Sequence, residues 1–266
     1  MNRNLAAIAL FAAVGIAKPP LEQRLSDDLH AQGLLEDPVG IDMRESLGQM
    51  GFAASLGGLR SLVASITYLQ AYSAFEDVDW GKVDSLMTIT TRLQPREATY
   101  WDDAAWHQGW NAASHYLRDE TLRAALRSKL FRDHVERGIE IVQEGLRFLP
   151  NNKKLLVRLG DLYCDRKPEP AKAAEAYLSA YAQGALRFYE RKAAYELVKV
   201  NDRAAWERAY AILKKNYDDG LDTPSVMMNL PILEKRLGIP PEKRTNPGAG
   251  KMPDVTKKRP MSTRGN

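Results

Sequence analysis

Prolines punctuate this chain at wide intervals, and their spacing limits its fold more than any other feature. Of fourteen prolines none falls in residues 39–94, 96–149 or 171–223. A proline inside a helix removes a backbone donor and clashes with the preceding turn, so those three windows are open to long helices. Apolar residues recur within them at three and four positions, the spacing that gathers them on one helical face. Pro95, Pro150 and Pro224 serve as stops or starts between the windows. Strand-type alternation of β-branched residues does not extend beyond a few positions. With 44% hydrophobic and 27% charged residues the chain has the material for a sizeable core. The expectation is an all-α protein.

The same composition excludes collagen-like, mucin-like and wholly disordered chains. Cys164 is the single cysteine. It therefore allows no internal disulfide, thiolate metal cluster or CxxC redox pair, and packing must hold the fold.

The arrangement of helices is clearest after Pro150. Leu156, Leu159, Gly160 and Tyr163 fall on one face of a first helix, and Ala173, Tyr177 and Ala180 on one face of a second. Small residues at Gly160, Ala173 and Ala180 let two antiparallel helices approach closely, while Tyr163 and Tyr177 fill the space between them. Such a pair cannot bury its face alone and needs neighbours of its own kind, at a period near 34 residues.

On those residues, 151–184 resembles a tetratricopeptide repeat, with one extra residue around Pro168 to Pro170 and Gln183-Gly184 where the pattern ends in proline. Weaker copies flank it. Residues 185–217 repeat the plan with Phe188, Tyr195, Trp206 and Tyr210. Ala98 to Tyr116 resembles a first helix and Phe131 to Leu149 a second, with Leu117 to Leu130 inserted between them. Leu93-Gln94-Pro95 closes an earlier pair whose second helix begins near Trp80. Val226 to Leu237 would cap the last pair. The resemblance implies a right-handed superhelix of antiparallel helix pairs over residues 57–237. Its concave face, lined by the first helices of the pairs, would hold an extended peptide or a partner helix; no cofactor or metal is implied.

Both ends differ from this body. Arg3 and the free amine precede thirteen uncharged, almost wholly apolar residues, Leu5 to Ala17, followed by Lys18, Pro19 and Pro20. Gly15 and Ala17 supply small residues at −3 and −1 for cleavage before Lys18, as in a secretory signal. As a helix the run is about 20 Å long, short of the roughly 30 Å hydrocarbon core. Residues 1–18 are thus expected to be a cleaved signal, with a membrane anchor or a buried helix as alternatives. No cysteine follows to carry a lipid. In 19–56, Leu21, Leu25 and Leu29 suggest a short amphipathic helix ahead of a polar loop, and the glycines at 48, 51, 57 and 58 match neither a P-loop nor GxGxxG.

At the other end, residues 238–266 hold seven Lys/Arg, two acids, five prolines, four glycines and no aromatic residue. The tail is +5 and the preceding 237 residues are −1, although the whole chain is +4. A segment so poor in apolar groups is expected to be disordered, either solubilising the chain or adhering to an anionic surface. Export argues against reading Lys257-Lys258-Arg259-Pro260 as a nuclear-import patch, and no specific nucleic-acid binding is expected.

The densest cluster of chemistry-bearing side chains runs from Tyr100 to His115. Trp101, Trp106 and Trp110, with Tyr100, are candidates for a partner-binding face because tryptophan and tyrosine are enriched in interface hot spots; the alternative is aromatic packing. Asp103 and His107, one helical turn apart, could form an acid/base pair of a hydrolase, but His115 lies about 12 Å further along the axis and cannot join His107 on one ion. No HExxH or GxSxG occurs. Cys164 is expected to be a buried small side chain, and His30 and His134 to be solvated. The function expected is a non-enzymatic scaffold, periplasmic or tethered facing the periplasm, whose groove binds another cell-envelope protein.

Overall fold

The described parts of the three proline-free windows are largely helical. The structure, a computed structural model, describes residues 59–245. Two compact units divide the chain, Met1–Val63 and Ala64–Asn266, and the contacts described below lie within the second. The signal segment 1–18, the region 19–56 and the tail beyond 245 lie outside the described residues, as does His30. Among the described residues there are nine helices and no strand, and no helix is long and apolar enough to cross a membrane.

Helix α1 is Arg60–Glu76 and α2 is Trp80–Leu93. Helix α3 runs through residues 98–118 as Ala98–Trp106, a π-helical turn His107–Ala112, and Ala113–Arg118. Helix α4 is Ala124–Phe148. Helix α5 is Lys153–Asp161 continued by a second π turn, Leu162–Arg166. Then come α6 (Pro170–Ala182), α7 (Arg187–Lys199), α8 (Arg203–Asp218) and α9 (Pro224–Arg236).

Local signals set these bounds. Side chains of Asp79, Glu97, Asn152 and Asp202 accept hydrogen bonds from first-turn N–H groups of α2, α3, α5 and α8, satisfying donors that have no partner within the helix. Pro170 and Pro224 occupy the first positions of α6 and α9, where a missing N–H costs nothing. Gly184, Gly220 and Gly238 close α6, α8 and α9 at φ of 80°, 79° and 71°. In each case the following N–H reaches back to close the last turn: Ala185 to the Ala180 carbonyl, Leu221 to Asn216 and Ile239 to Glu234. The glycine at 184 thus ends its helix where the repeat pattern has a proline.

From α2 onward each helix packs against the next, α3 also packs on α5 and α7 on α9, and α1 meets α2 through the hydroxyls of Thr67 and Thr90 at 2.8 Å. Small residues make this possible. A Cβ on Gly145 would stand 2.7 Å from Trp101 Cγ, closer than side chains tolerate, and one on Gly138 would stand 3.0 Å from the Gly109 backbone nitrogen, tighter than nearly all such contacts, so glycines set the approach of α4 to α3. Gly160 is pressed against the Tyr177 ring in the same way. Around these contacts Leu155, Leu162, Ala173, Ala174, Tyr177, Ala180, Ala193, Leu213 and Leu233 are fully buried.

Three places differ from the sequence reading. In α5 the fully buried leucines are Leu155 and Leu162, whereas Leu156 is half-buried and outside the core; Leu159 is partly buried against that core, and Gly160, Tyr163, Ala173, Tyr177 and Ala180 are buried. Most of the inserted segment 117–130 is itself helical, since α3 continues to Arg118 and α4 begins at Ala124. Order also continues past 237. The backbone N–H and hydroxyl of Thr245 donate to Glu234 Oε1 at 2.7 and 2.6 Å, pinning a short 3-10 turn, Pro241–Lys243, to a carboxylate that is itself buried.

Candidate functional site

Helices α3 and α5 each carry a π turn, and the two turns meet. A Cβ at Gly109 would lie 2.6 Å from Leu162 Cδ2, so α5 approaches α3 at its side-chain-free position. From the second turn Arg166 reaches back into the first, donating from Nε to the Gly109 carbonyl at 2.9 Å and from a terminal nitrogen to Ser114 Oγ at 2.9 Å. A π turn holds one more residue than an α turn and alters the side-chain register beyond it. That register sets out the surface of α3.

The four aromatic residues expected at a partner face separate into two groups. Trp101 lies in the core at 1% exposure, its indole nitrogen donating to the Pro95 carbonyl at 2.8 Å and its ring stacked on Phe148. It presents no surface to a partner, because the glycine at 145 admits its ring between α3 and α4. Tyr100 is half-buried beside Tyr68, with ring centres 4.9 Å apart. Trp106 and Trp110, by contrast, stack on each other at 4.8 Å and 17° near the surface, with Trp106 40% exposed.

Two arginines that sequence reasoning missed complete this pair. The Arg158 guanidinium lies 4.8 Å from the Trp106 ring centre and 5.1 Å from that of Trp110, and Arg166 stands 5.9 Å from Trp110 and 4.9 Å from Phe131. Cations over indole faces are attracted by the ring quadrupole. Arg158 is fixed by Asp102, which is 5% exposed and accepts from Arg158 Nε at 2.6 Å while pairing with Lys154 at 3.1 Å. A buried carboxylate left alone would be strongly unfavourable, and two cations from the next repeat-like helix compensate it. Their only signal in sequence is their place on the first helix of the next pair.

Beside the indole pair opens a cleft of about 810 Å³. Phe75 and Trp80 form one wall, Trp106 and Trp110 the other, and Asn111, Ser114, His115, Arg118, Asp119 and Thr121 continue it toward the α3–α4 turn. Trp80 is held 5.7 Å from the His115 ring. The tight link from α1 to α2 places it there, with Val78 at φ 60° and Asp79 donating its N–H to the Ala74 carbonyl. The cleft can therefore bury an apolar group while offering polar partners along one end.

Asp103 and His107 are engaged elsewhere. Asp103 accepts a 2.6 Å hydrogen bond from the Tyr68 hydroxyl, which burial and that carboxylate keep protonated. His107 is buried beside Phe75 and Tyr72, with Nδ1 3.2 Å from the Asn111 amide, and burial lowers its pKa despite the charge of Asp103. Neither residue lines the cleft. His134, expected to be solvated, is half-buried instead. It stacks on Tyr116 and its Nδ1 donates to Gln108 Oε1 at 2.7 Å, with burial again lowering its pKa. Cys164 is half-buried with its thiol donating to Glu196, and burial foremost pushes it up to about 12. Among the described residues no group of three or more His, Cys, Asp or Glu side chains is placed to hold a metal ion.

No protein-family model matches the chain, and neither comparison with curated proteins nor comparison with solved structures finds a match.

Proposed function

We propose that this protein is a tetratricopeptide-like interaction scaffold whose docking face is the surface shared by α3 and α5. The carrying observation is the stacked Trp106–Trp110 pair, open to solvent at the mouth of an aromatic cleft and fixed by Arg158 and Arg166 from the next helix pair. Large aromatic groups held rigidly on packed helices lose little freedom on binding, which is the property of interface anchors. Support for the repeat reading comes from α3–α4, α5–α6 and α7–α8 as successive pairs with α9 closing the series, and from the packing of α3 on α5 and of α7 on α9. In that reading the pairs coil into a right-handed superhelix, and α3, α5 and α7 line its groove.

We place the partner in the cell envelope, on the strength of the signal-like segment 5–17; N-terminal sequencing of the mature protein tests that export. The basic tail supplies, in this reading, a salt-sensitive second contact to an anionic surface. Affinity capture from envelope extracts tests the docking face. Trp106→Ser and Trp110→Ser should each lose the captured partner, while Glu207→Ser, an exposed change on α8, should retain it. Equal capture by all three would remove the docking assignment.

A further inference from the structure

The cleft runs into a hairpin tip with unusual charge. From Arg118 to Asp133 the chain carries Arg118, Arg123, Arg127, Lys129 and Arg132 against Asp119, Glu120 and Asp133. Lys129 pairs with Asp133 at 2.5 Å. Among the described residues no ion pair engages Arg118, Arg123, Arg127 or Arg132, so four guanidinium groups within fifteen positions lack a carboxylate partner. Asp119 is already committed to the N–H and hydroxyl of Thr121, bonds that hold its carboxyl below the usual range, with His115 and Arg127 adding to the effect. Nearby, Arg166 spends its bonds on a neutral carbonyl and a hydroxyl. Burial lowers its pKa, and the charge of Arg118 adds to this against that of Asp165. The tip projects as well: residues 124–134 of α4 include no buried position.

We propose that the cleft takes an acidic segment of a partner protein, seating one large apolar side chain against Trp80 and Trp110 and directing flanking Asp or Glu carboxylates to Arg118 and Arg127. The proposal rests on reading this face as a protein-docking surface, and it specifies the partner's chemistry. Charge complementarity carries it, since unpaired guanidinium groups border an apolar wall and bidentate carboxylates match their geometry. A nucleic acid fits less well. Successive bases bind by stacking on separate aromatic faces along a groove, and here Trp106 and Trp110 are stacked on each other, which offers a place to one apolar group and no row of platforms. Leu117 and Leu126 are the exposed large apolar residues of the tip, too few for a membrane-embedded face.

The test uses the full chain and end-blocked, fluorescein-labelled peptides carrying one phenylalanine flanked by glutamates, the same peptide with lysines for glutamates, and the same with alanine for phenylalanine. Anisotropy should show binding of the first peptide alone, weakening with added salt. The double variant Arg118→Gln, Arg127→Gln, altered only at exposed or half-exposed positions, should weaken it about tenfold, and Trp110→Ala should weaken it as well. Equal binding of the lysine peptide, an unchanged affinity in the double variant, or tighter binding of an oligothymidylate would overturn the proposal. If the captured partner is lost in Trp110→Ser but kept in the double arginine variant, the docking face stands and the acidic occupant falls.

Discussion

At single residues the two buried or half-buried histidines of α3 and α4 carry a predictable pH response. His107 and His134 both have pKa values lowered by burial, so the folded state holds them neutral while the unfolded chain binds protons near the ordinary value of about 6.5. Stability from these groups is complete above that value and declines as pH falls from it toward the lowered folded-state values, because the unfolded state then takes up more protons. The urea midpoint should therefore be flat just above neutrality and fall below about pH 6.5, and His134→Gln should flatten part of that fall; a midpoint rising with acid would contradict the sign. Tryptophans of one helix should also differ sharply. Trp101→Ala empties a site 1% exposed and packed on Gly145, and should cost about 3–5 kcal/mol. Trp106→Ser, on a side chain 40% exposed, should cost about 1 kcal/mol, the worth of an aromatic pair and a cation contact. Equal losses in chemical denaturation would mean that Trp106 is a core residue.

Between elements, close contact of helix backbones sets the geometry of the site. Gly138 of α4 faces the Gly109 backbone and the Ala105 carbonyl of α3, where a Cβ would stand 3.0 and 3.1 Å away. Backbone cannot swing aside as a flexible side chain can. Gly138→Ala should separate α3 from α4 at a cost of about 2 kcal/mol, read from the denaturation midpoint, and should disturb the π turn at His107–Ala112; an unchanged midpoint would show that the two helices have slack. Proline gaps and apolar spacing made the helices legible, and Gly160, Ala173, Tyr177 and Ala180 pack as their spacing implies. The π turns were not legible, because a one-residue bulge leaves apolar spacing almost unchanged while rotating the side chains beyond it. Trp101 and Trp106 also look alike in sequence, yet five regular α-helical positions turn them about 140° apart and they part into core and surface. Arg158 and Arg166 escaped notice because their role comes from contact with a helix more than fifty positions away.

Across the described chain, successive first helices are tied by charge as well as by packing. Asp102 of α3 holds Arg158 and Lys154 of α5, and Asp161 of α5 in turn holds Lys192 of α7 at 2.8 Å while accepting from the Tyr177 hydroxyl at 2.7 Å. Such ties from helix to helix accord with the proposed stack of repeat units, and the surface of α3 lies beside the aromatic cleft. The +4 of the whole chain obscures this surface. The tail carries that excess, while the surplus of cations at the α3–α4 tip is offset elsewhere in a body that sums to −1. Docking of a partner protein on the shared surface can be read directly by amide hydrogen exchange of the full chain, free and bound to its captured partner. New protection should be confined to residues 75–80, 106–127 and 154–166, and protection appearing instead on α6, on α8 or on the part of α4 beyond residue 127 would contradict docking there.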